Sequence, residues 1–494
     1  MFNDILKFVF FLFFVSLSPH PAQTMDDDSA DPQTNPVKKI VVVGGGLAGL
    51  SAAYELRKQT LVNHIIDLYE GRDCLGGRVH THYFNGNKQY YEEGATWIDQ
   101  EHSHMRNFAK ELGVPLISHG YGSKNTIVRW NGQEYPINEL LDKFQDAHKE
   151  LQAFCKPLNL DDQNSLALHS RSSLSPFTKA LMTTCYQDET GKSIDNAPVS
   201  SLKFIAERLE NFANLATLKN LNVPFKSYCL QAIDWWYSLY RYTVAGGAST
   251  LIEALHKKVK DAVWCNLNHK LTKITRKADR FHLSFETKES EKKEVIADYV
   301  IITLPFSTLR NVQIDDSIGL RENQKRAIRD LPYGTNAKVG IPLNRDLDDL
   351  ILYLNLDNHH MAWSGGKNVL TLHMNSNEGK SLSPKNIPNS VHLLKQNFQK
   401  DDTGEIAQKN WFQDPYALGS YSTFKDDGNS IFNIPSTDYP GLQRFAEPID
   451  NKLYFAGEHT DIAFSGFMEG ALRSGQTVAQ QLAKAVTRKV AQEH

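Results

Sequence analysis

The sequence predicts an α/β plus α+β chain in which a Rossmann-like domain is interrupted by a partly helical insert. Three observations carry this. The run Lys39-Ile40-Val41-Val42-Val43-Gly44-Gly45-Gly46-Leu47-Ala48-Gly49-Leu50 passes from an apolar strand through three glycines into an alanine-rich helix. A strand-like stretch, Tyr299-Val300-Ile301-Ile302-Thr303-Leu304-Pro305, and the segment from Gly441 onward return to the same rhythm. Between them, Tyr121 to about Tyr242 shows helical spacing instead, for example at Leu140, Leu141, Phe144, His148 and Leu151.

Gly44, Gly46 and Gly49 fit GxGxxG. In that pattern one glycine makes the tight turn, the second admits a pyrophosphate, and the third lets helix pack on strand. Free N–H groups and the positive end of the helix beginning near Leu47 then face an anion. A second strand, Ile65-Ile66-Asp67-Leu68-Tyr69, ends in Glu70, where a carboxylate accepts hydrogen bonds from an adenosine ribose. The helix from His104 to Leu112 stops at Gly113-Val114-Pro115, a glycine cap followed by a proline. Gly246-Gly247-Ala248-Ser249 opens another helix, and Val263 to Ile302 reads as strands. The last helix carries Leu472, Val478, Leu482 and Val486 as a core stripe.

The 494 residues, 41% of them hydrophobic, suffice for a large core and two domains or more. A net charge of −3 with scattered Lys and Arg leaves no electrostatic footprint for nucleic acid. Phe8 to Leu17 is apolar behind Lys7 and precedes Pro19, Pro21 and Ala22, so residues 1–24 read as a secretory signal. The run falls short of the roughly 20 apolar residues of a spanning helix. Export to a periplasm or the outside is expected, with an uncleaved N-terminal membrane anchor as the alternative. Residues 25–36 form an acidic, proline-containing linker expected to be disordered. Cys74, Cys155, Cys185, Cys229 and Cys265 are odd in number and lack CxxC spacing, so no metal site is implied and any pairing stays open.

Past Glu70 comes Gly71-Arg72-Asp73-Cys74-Leu75-Gly76-Gly77-Arg78-Val79. Near the other end lie Tyr454-Phe455-Ala456-Gly457-Glu458-His459-Thr460 and Gly466-Phe467-Met468-Glu469-Gly470-Ala471. From about Val37 to the C-terminus this set resembles the FAD-dependent amine oxidase family, of the polyamine and monoamine oxidase type. The resemblance implies a GR2-type, Rossmann-like FAD-binding domain made of residues 37–119, 244–310 and 440–494. The substrate domain, inserted as 120–243 (helical) and 311–439, matches least. FAD contacts are implied for Gly44, Gly46, Gly49, Glu70, Gly77, Arg78, Gly94, Ala95, Thr96, Trp97, Leu271, Gly457, Glu458, Phe467 and Met468.

The same resemblance assigns the chemistry. Lys338 aligns with the lysine held near flavin N5 through a water, where a cation stabilises charge passing to oxygen. Trp411-Phe412-Gln413-Asp414-Pro415-Tyr416 and Gly419-Ser420-Tyr421-Ser422 match next. Monoamine oxidases carry a flavin-bonded cysteine at the position of Ser420, so FAD is expected to be non-covalent here. Tyr421 and Phe467 align with two aromatics facing each other across the substrate channel, and Phe467 stands where monoamine oxidases have tyrosine. The backbone N–H near Met468 is expected to donate to the flavin C2 oxygen.

Trp97 occupies a loop in which L-amino acid oxidases carry a carboxylate-clamping arginine, which argues for amines over amino acids. Asp99 and Glu101 are candidates to attract a second ammonium group. The expected reaction takes hydride from the α-carbon of a neutral primary or secondary amine to flavin N5, giving an imine and then an aldehyde, with O2 yielding hydrogen peroxide. No metal is required. The alternatives are an L-amino acid oxidase with a clamp such as Arg241, or a flavin amine dehydrogenase that does not use O2.

Overall fold

The computed structural model describes residues 37–494 except 60, 62, 85, 87, 120–124, 156–172, 195–240, 345–350, 366, 399–404, 424–445, 462 and 494. The expected N-terminal signal and linker therefore lie outside the described residues, as does most of the expected helical insert.

Five parallel strands organise the chain. β1 (Lys38–Val43) lies centrally, flanked by β2 (His64–Tyr69) and β13 (Tyr299–Ile302), with β9 (Val263–Asn266) and β20 (Leu453–Phe455) at the edges. Ile40, Val41, Val42 and Val43 are all buried, because parallel strands are covered on both faces. One face packs on α1 (Leu47–Lys58), α5 (Ser249–Val259) and the final helix α10 (Met468–Glu493), in a core that includes Leu50, Leu251, Leu472, Val478, Leu482 and Val486. The other face meets an antiparallel meander, β10 (His269–Lys277), β11 (Arg280–Thr287) and β12 (Lys292–Ala297), through Phe281, Leu283 and Phe285.

Gly49 shows why the third glycine of the motif is required. A Cβ there would lie 1.9 Å from the carbonyl oxygen of Gly44 and 3.0 Å from Thr303 Oγ1. The turn before α1, the helix and the loop after β13 thus meet at one point. Gly49→Ala is expected to cost about 1–3 kcal/mol through overpacking. Urea unfolding followed by far-UV circular dichroism measures this as a lowered midpoint with an unchanged slope.

α2 (Ser103–Leu112) ends as the sequence predicts, with Gly113 left-handed at φ 72° and its N–H donating to the Ala109 and Lys110 carbonyls. Its start is capped from afar. The fully buried Glu469 accepts from the backbone N–H groups of His104 (3.2 Å) and Met105 (2.7 Å), tying α2 to the first turn of α10.

A second, seven-stranded sheet has the order β19-β15-β18-β17-β16-β6-β7. Its centre is β15 (Ala337–Pro342), β18 (Val369–Met374), β17 (His360–Gly365) and β16 (Ile351–Asn355), paired antiparallel. β19 (Ala407–Asn410) lies at one edge and β6 (Asn125–Trp130) with β7 (Gln133–Pro136) at the other. Residues 125–136 thus form strands where the sequence pattern suggests only helix. β6 pairs in parallel with β16, so its partner lies more than 200 residues away and leaves no local signature. Helical spacing at Phe144 and Leu151 is realised in α3 (Leu141–Cys155), with Leu140 just before it, and Leu140 and Phe144 share a core with Phe177 and Leu181 of α4 (Pro176–Thr190).

Among the described residues the architecture is therefore a mixed α/β fold with one fully parallel sheet and others that are antiparallel or mainly antiparallel. Among the described residues no helix is long and apolar enough to cross a membrane. Cys74 and Cys265 are free thiols.

Candidate active site

One cavity of about 370 Å³ joins the two sheets. At one end its wall is the C-terminal edge of the parallel sheet, with Val43, Gly44, Tyr69, Glu70 and Thr303. At the other end it is the face of β15, β17 and β18, with Lys338, Trp363 and His373.

Gly46, Leu47 and Ala48 line the first end at the start of α1. The N-cap Gly46 supplies no side-chain cap, and the first turn holds no acidic residue, so the helix presents uncapped N–H groups. A Cβ on Gly46 would meet no heavy atom nearer than 3.9 Å, leaving open space at the backbone. This is a cradle for an extended anion. Glu70 stands beside it, with its carboxylate accepting from Gly45 N (2.6 Å) and Arg72 N (2.9 Å). Burial raises its pKa despite these bonds and the nearby Arg72.

In the middle, Arg78 Nη1 donates to the Ser420 carbonyl (2.8 Å) and to Glu458 Oε1 (2.8 Å). Glu458 is buried, which opposes its ionisation, yet Arg78 and Ser422 hold its pKa below the ordinary value. Besides Arg78, its oxygens accept from Ser422 N (3.1 Å), Ser422 Oγ (2.6 Å) and Gly466 N (2.7 Å). One carboxylate thereby joins the loop after β2, the loop around Ser420 and the turn into α10.

Lys338 reaches into the far end from β15. Its Nζ donates to the Gly94 carbonyl (2.5 Å) and Thr96 Oγ1 (2.7 Å), and it lies 5.3 Å from the centre of the Trp363 ring. Burial lowers its pKa to about 8, against the fields of Glu92 and Asp188. Trp97 packs against Trp363 at 5.8 Å. Trp411 donates Nε1–H to the Glu93 carbonyl (2.7 Å), fixing the strand end that carries Gly94.

Of the residues singled out in the sequence, Gly44, Gly46, Glu70, Gly77, Arg78, Gly94, Ala95, Thr96, Trp97, Leu271, Lys338, Trp411, Tyr421, Glu458, Phe467 and Met468 all line this cavity. Gly49 and Gly457 do not. Gly49 acts in packing, and Gly457 donates its N–H to Ser474 Oγ (3.0 Å) behind the wall. Tyr421 Oη donates to the Asp188 carbonyl (2.8 Å), and the Phe467 ring lies 4.9 Å from that of His102. Asp99 and Glu101 are absent from the lining, and the side chain of Arg241 lies outside the described residues.

Several lining groups escape the sequence reading. Arg72 makes a bidentate pair with Asp414 (3.0 and 2.5 Å), which also accepts from Lys409 (2.7 Å). Both stand inside stretches already quoted as motifs, two residues after Glu70 and three after Trp411. Trp363 and His373 have no such signal, because strand pairing alone brings them to Lys338; His373 is its direct cross-strand partner. His373 Nε2 accepts from Asn336 Nδ2 (2.8 Å), whose Oδ1 accepts from Ser420 Oγ (2.5 Å). Burial and the Lys338 cation push the His373 pKa down to about 3, so this imidazole stays neutral.

Comparison with known proteins adds independent information. A family model described as flavin containing amine oxidoreductase matches residues 47–483. An L-amino-acid oxidase of Bungarus fasciatus is 23% identical over 488 residues, covering 92% of this chain and 88% of its own. Cyclohexylamine oxidase from Brevibacterium oxydans IH-35A shares the fold with a TM-score of 0.67 at 16% identity, over 92% of this chain and 100% of its own. Wild-type putrescine oxidase bound to putrescine gives 0.65 at 15% identity, over 90% and 99%.

Proposed function

The chain belongs to the flavin containing amine oxidoreductases, and from that premise we propose that it is an FAD-dependent oxidase of primary or secondary amines. The overall reaction turns the amine into an imine, hydrolysed to an aldehyde, and O2 into hydrogen peroxide. The observation that carries this reading is the single cavity, with the uncapped start of α1 and Glu70 at one end and Lys338 among aromatic rings at the other.

The residues fit FAD in a GR2-type, Rossmann-like domain. Glu70 would accept from the adenosine ribose, the N–H groups of α1 and the guanidinium of Arg78 would take the pyrophosphate, and the start of α10 at Met468 would face the ring edge. When bound, FAD would supply the two-electron acceptor that no side chain here provides. Ser420 cannot form a thioether, and its hydroxyl is engaged with Asn336, which supports non-covalent binding.

The protein's own part is positioning and charge. Trp97, Trp363, Tyr421 and Phe467 supply apolar walls that align a hydrocarbon chain and exclude water. Lys338 places a cation beside them and disfavours a substrate that enters as an ammonium. A substrate amine must therefore lose its proton, so amine oxidation should rise with pH. Lys338 also offers its charge to oxygen as electrons reach it.

The sequence relatives favour a second reading, an L-amino acid oxidase. That reaction needs a free guanidinium for the substrate carboxylate. Among the described residues the arginines lining the cavity are Arg72 and Arg78, each already paired, with Asp414 and Glu458. The amine reading is therefore preferred. We also propose that residues 1–24 direct export, on the apolar run behind Lys7.

Visible spectra of the purified yellow protein decide between the readings. Without oxygen, bleaching by polyamines or monoamines but not by L-amino acids, followed by peroxide when air returns, is the expected outcome. Bleaching by amino acids alone would transfer the assignment to the second reading, and recovery only with an artificial electron acceptor would mark a dehydrogenase. Flavin released by acid precipitation would establish non-covalent binding.

A further inference from the structure

The proton of His373 can be placed from its neighbours. The backbone N–H of Asn336 donates to Ser420 Oγ (3.4 Å), so the Ser420 hydroxyl gives its own proton to Asn336 Oδ1 (2.5 Å). That sets the amide: Nδ2 turns to His373 and donates to Nε2 (2.8 Å). A ring nitrogen that accepts holds a lone pair, so the imidazole is neutral and carries its proton on Nδ1. Nδ1 has no hydrogen-bond partner among the described residues, and the half-buried side chain lines the cavity. The ring stands opposite Lys338 on the neighbouring strand and 5.8 Å from Trp363, which lies 5.8 Å from Trp97. Around it Lys338 is engaged with the Gly94 carbonyl and Thr96, and the Tyr421 hydroxyl with the Asp188 carbonyl. His373 thus sets an uncharged N–H into an aromatic wall.

We propose that His373 is a specificity-determining residue that selects amines carrying an uncharged oxygen acceptor, a hydroxyl, ether or carbonyl, on the chain beyond the amine. Such an oxygen takes the Nδ1 proton as a hydrogen bond. A methylene in its place covers the N–H and leaves a buried donor without a partner, which penalises the purely hydrocarbon amine. A second ammonium group fares worse, since it has donors only and meets the Lys338 cation. A carboxylate calls for a charge-assisted pair, and Lys338 directs two of its N–H groups to Gly94 and Thr96 instead. The proposal therefore narrows the substrate to an oxygen-bearing monoamine, and it rests on the oxidase reading only for the amine end of that molecule.

The test uses the flavin-loaded full chain and ligands that are not amines, so that it stands apart from turnover. Anisole and ethylbenzene have the same shape and differ by an ether oxygen against a methylene. Titrations followed by the flavin spectrum should give anisole an affinity about fivefold higher, the scale of one neutral hydrogen bond. In His373→Phe, which keeps a ring and removes the N–H, the ratio should fall to about one. His373→Gln retains an N–H and should keep part of the preference. In wild type, 15N NMR of histidine-labelled protein should show His373 protonated at Nδ1 and bare at Nε2 throughout the neutral range, a readout that needs no variant to fold. Equal affinities in wild type, a ratio indifferent to His373→Phe, or a proton found on Nε2 would overturn the proposal. So would tighter binding of phenylacetate than of anisole, which would assign the site to a carboxylate. Anaerobic bleaching should then favour 3-methoxypropylamine over pentylamine. Bleaching by neither would sink the oxidase reading and leave the anisole result standing.

Discussion

Lys338→Met should slow the reaction of the reduced enzyme with oxygen by about 10²–10³-fold, the scale for removing one preorganised charge from a water-poor site. The side chain is buried, held by the Gly94 carbonyl and Thr96, and is the cationic lining residue at the Trp363 end that no carboxylate pairs directly among the described residues. Amine oxidation without oxygen should change far less, because the walls that align the substrate are Trp97, Trp363, Tyr421 and Phe467. Stopped-flow measurement of the two half-reactions separates the effects. Equal losses in both would assign Lys338 to packing.

The pH dependence gives an independent check. A pKa lowered to about 8 means that Lys338 is cationic below that pH and neutral above it. The oxygen half-reaction should therefore weaken as pH rises through about 8, while amine oxidation strengthens as the substrate amine deprotonates. Opposed slopes of this kind make turnover bell-shaped. Lys338→Arg keeps its charge throughout this range and should flatten only the oxygen limb, although its fork cannot reproduce the contacts to Gly94 and Thr96.

How much of this was legible before the structure differs between the two ends of the cavity. At the nucleotide end the determinants are local: Gly44, Gly46 and Gly49 lie within six residues, and β2 leads directly to Glu70. Close backbone approach admits few side chains, so the chemistry leaves a spaced pattern. At the Lys338 end the wall is assembled by strand pairing. Trp363 and His373 reach Lys338 because β17 pairs with β18 and β18 with β15, and nothing in the neighbourhood of either residue announces it. The strands at 125–136 escape for the same reason. Glu458 was legible as a motif residue, but its role as the acceptor of four bonds from three segments depends on contacts up to 380 residues apart.

That role makes Arg78→Ala the change with the largest expected effect on stability. Arg78 is the cation paired with a carboxylate that is only 7% exposed. Breaking a buried pair from one side costs about 3–5 kcal/mol, because the remaining charge keeps its desolvation penalty. The three bonds from Ser422 and Gly466 persist, which places the loss near the lower end, at about 3 kcal/mol. The sign with pH follows. Glu458 titrates below its ordinary value when folded, so its contribution is present above the normal carboxylate range and is lost on acidification. In Arg78→Ala that contribution falls away, and the variant should lose less stability between pH 7 and pH 4 than wild type does. Adding Glu458→Gln to Arg78→Ala should recover part of the melting temperature, since an amide needs no counter-charge. Flavin content should fall in both variants, because Arg78 lines the cavity whether or not Glu458 is charged. A double variant no more stable than Arg78→Ala would show that the pair matters through the Ser420 carbonyl that Arg78 also holds, and not through charge.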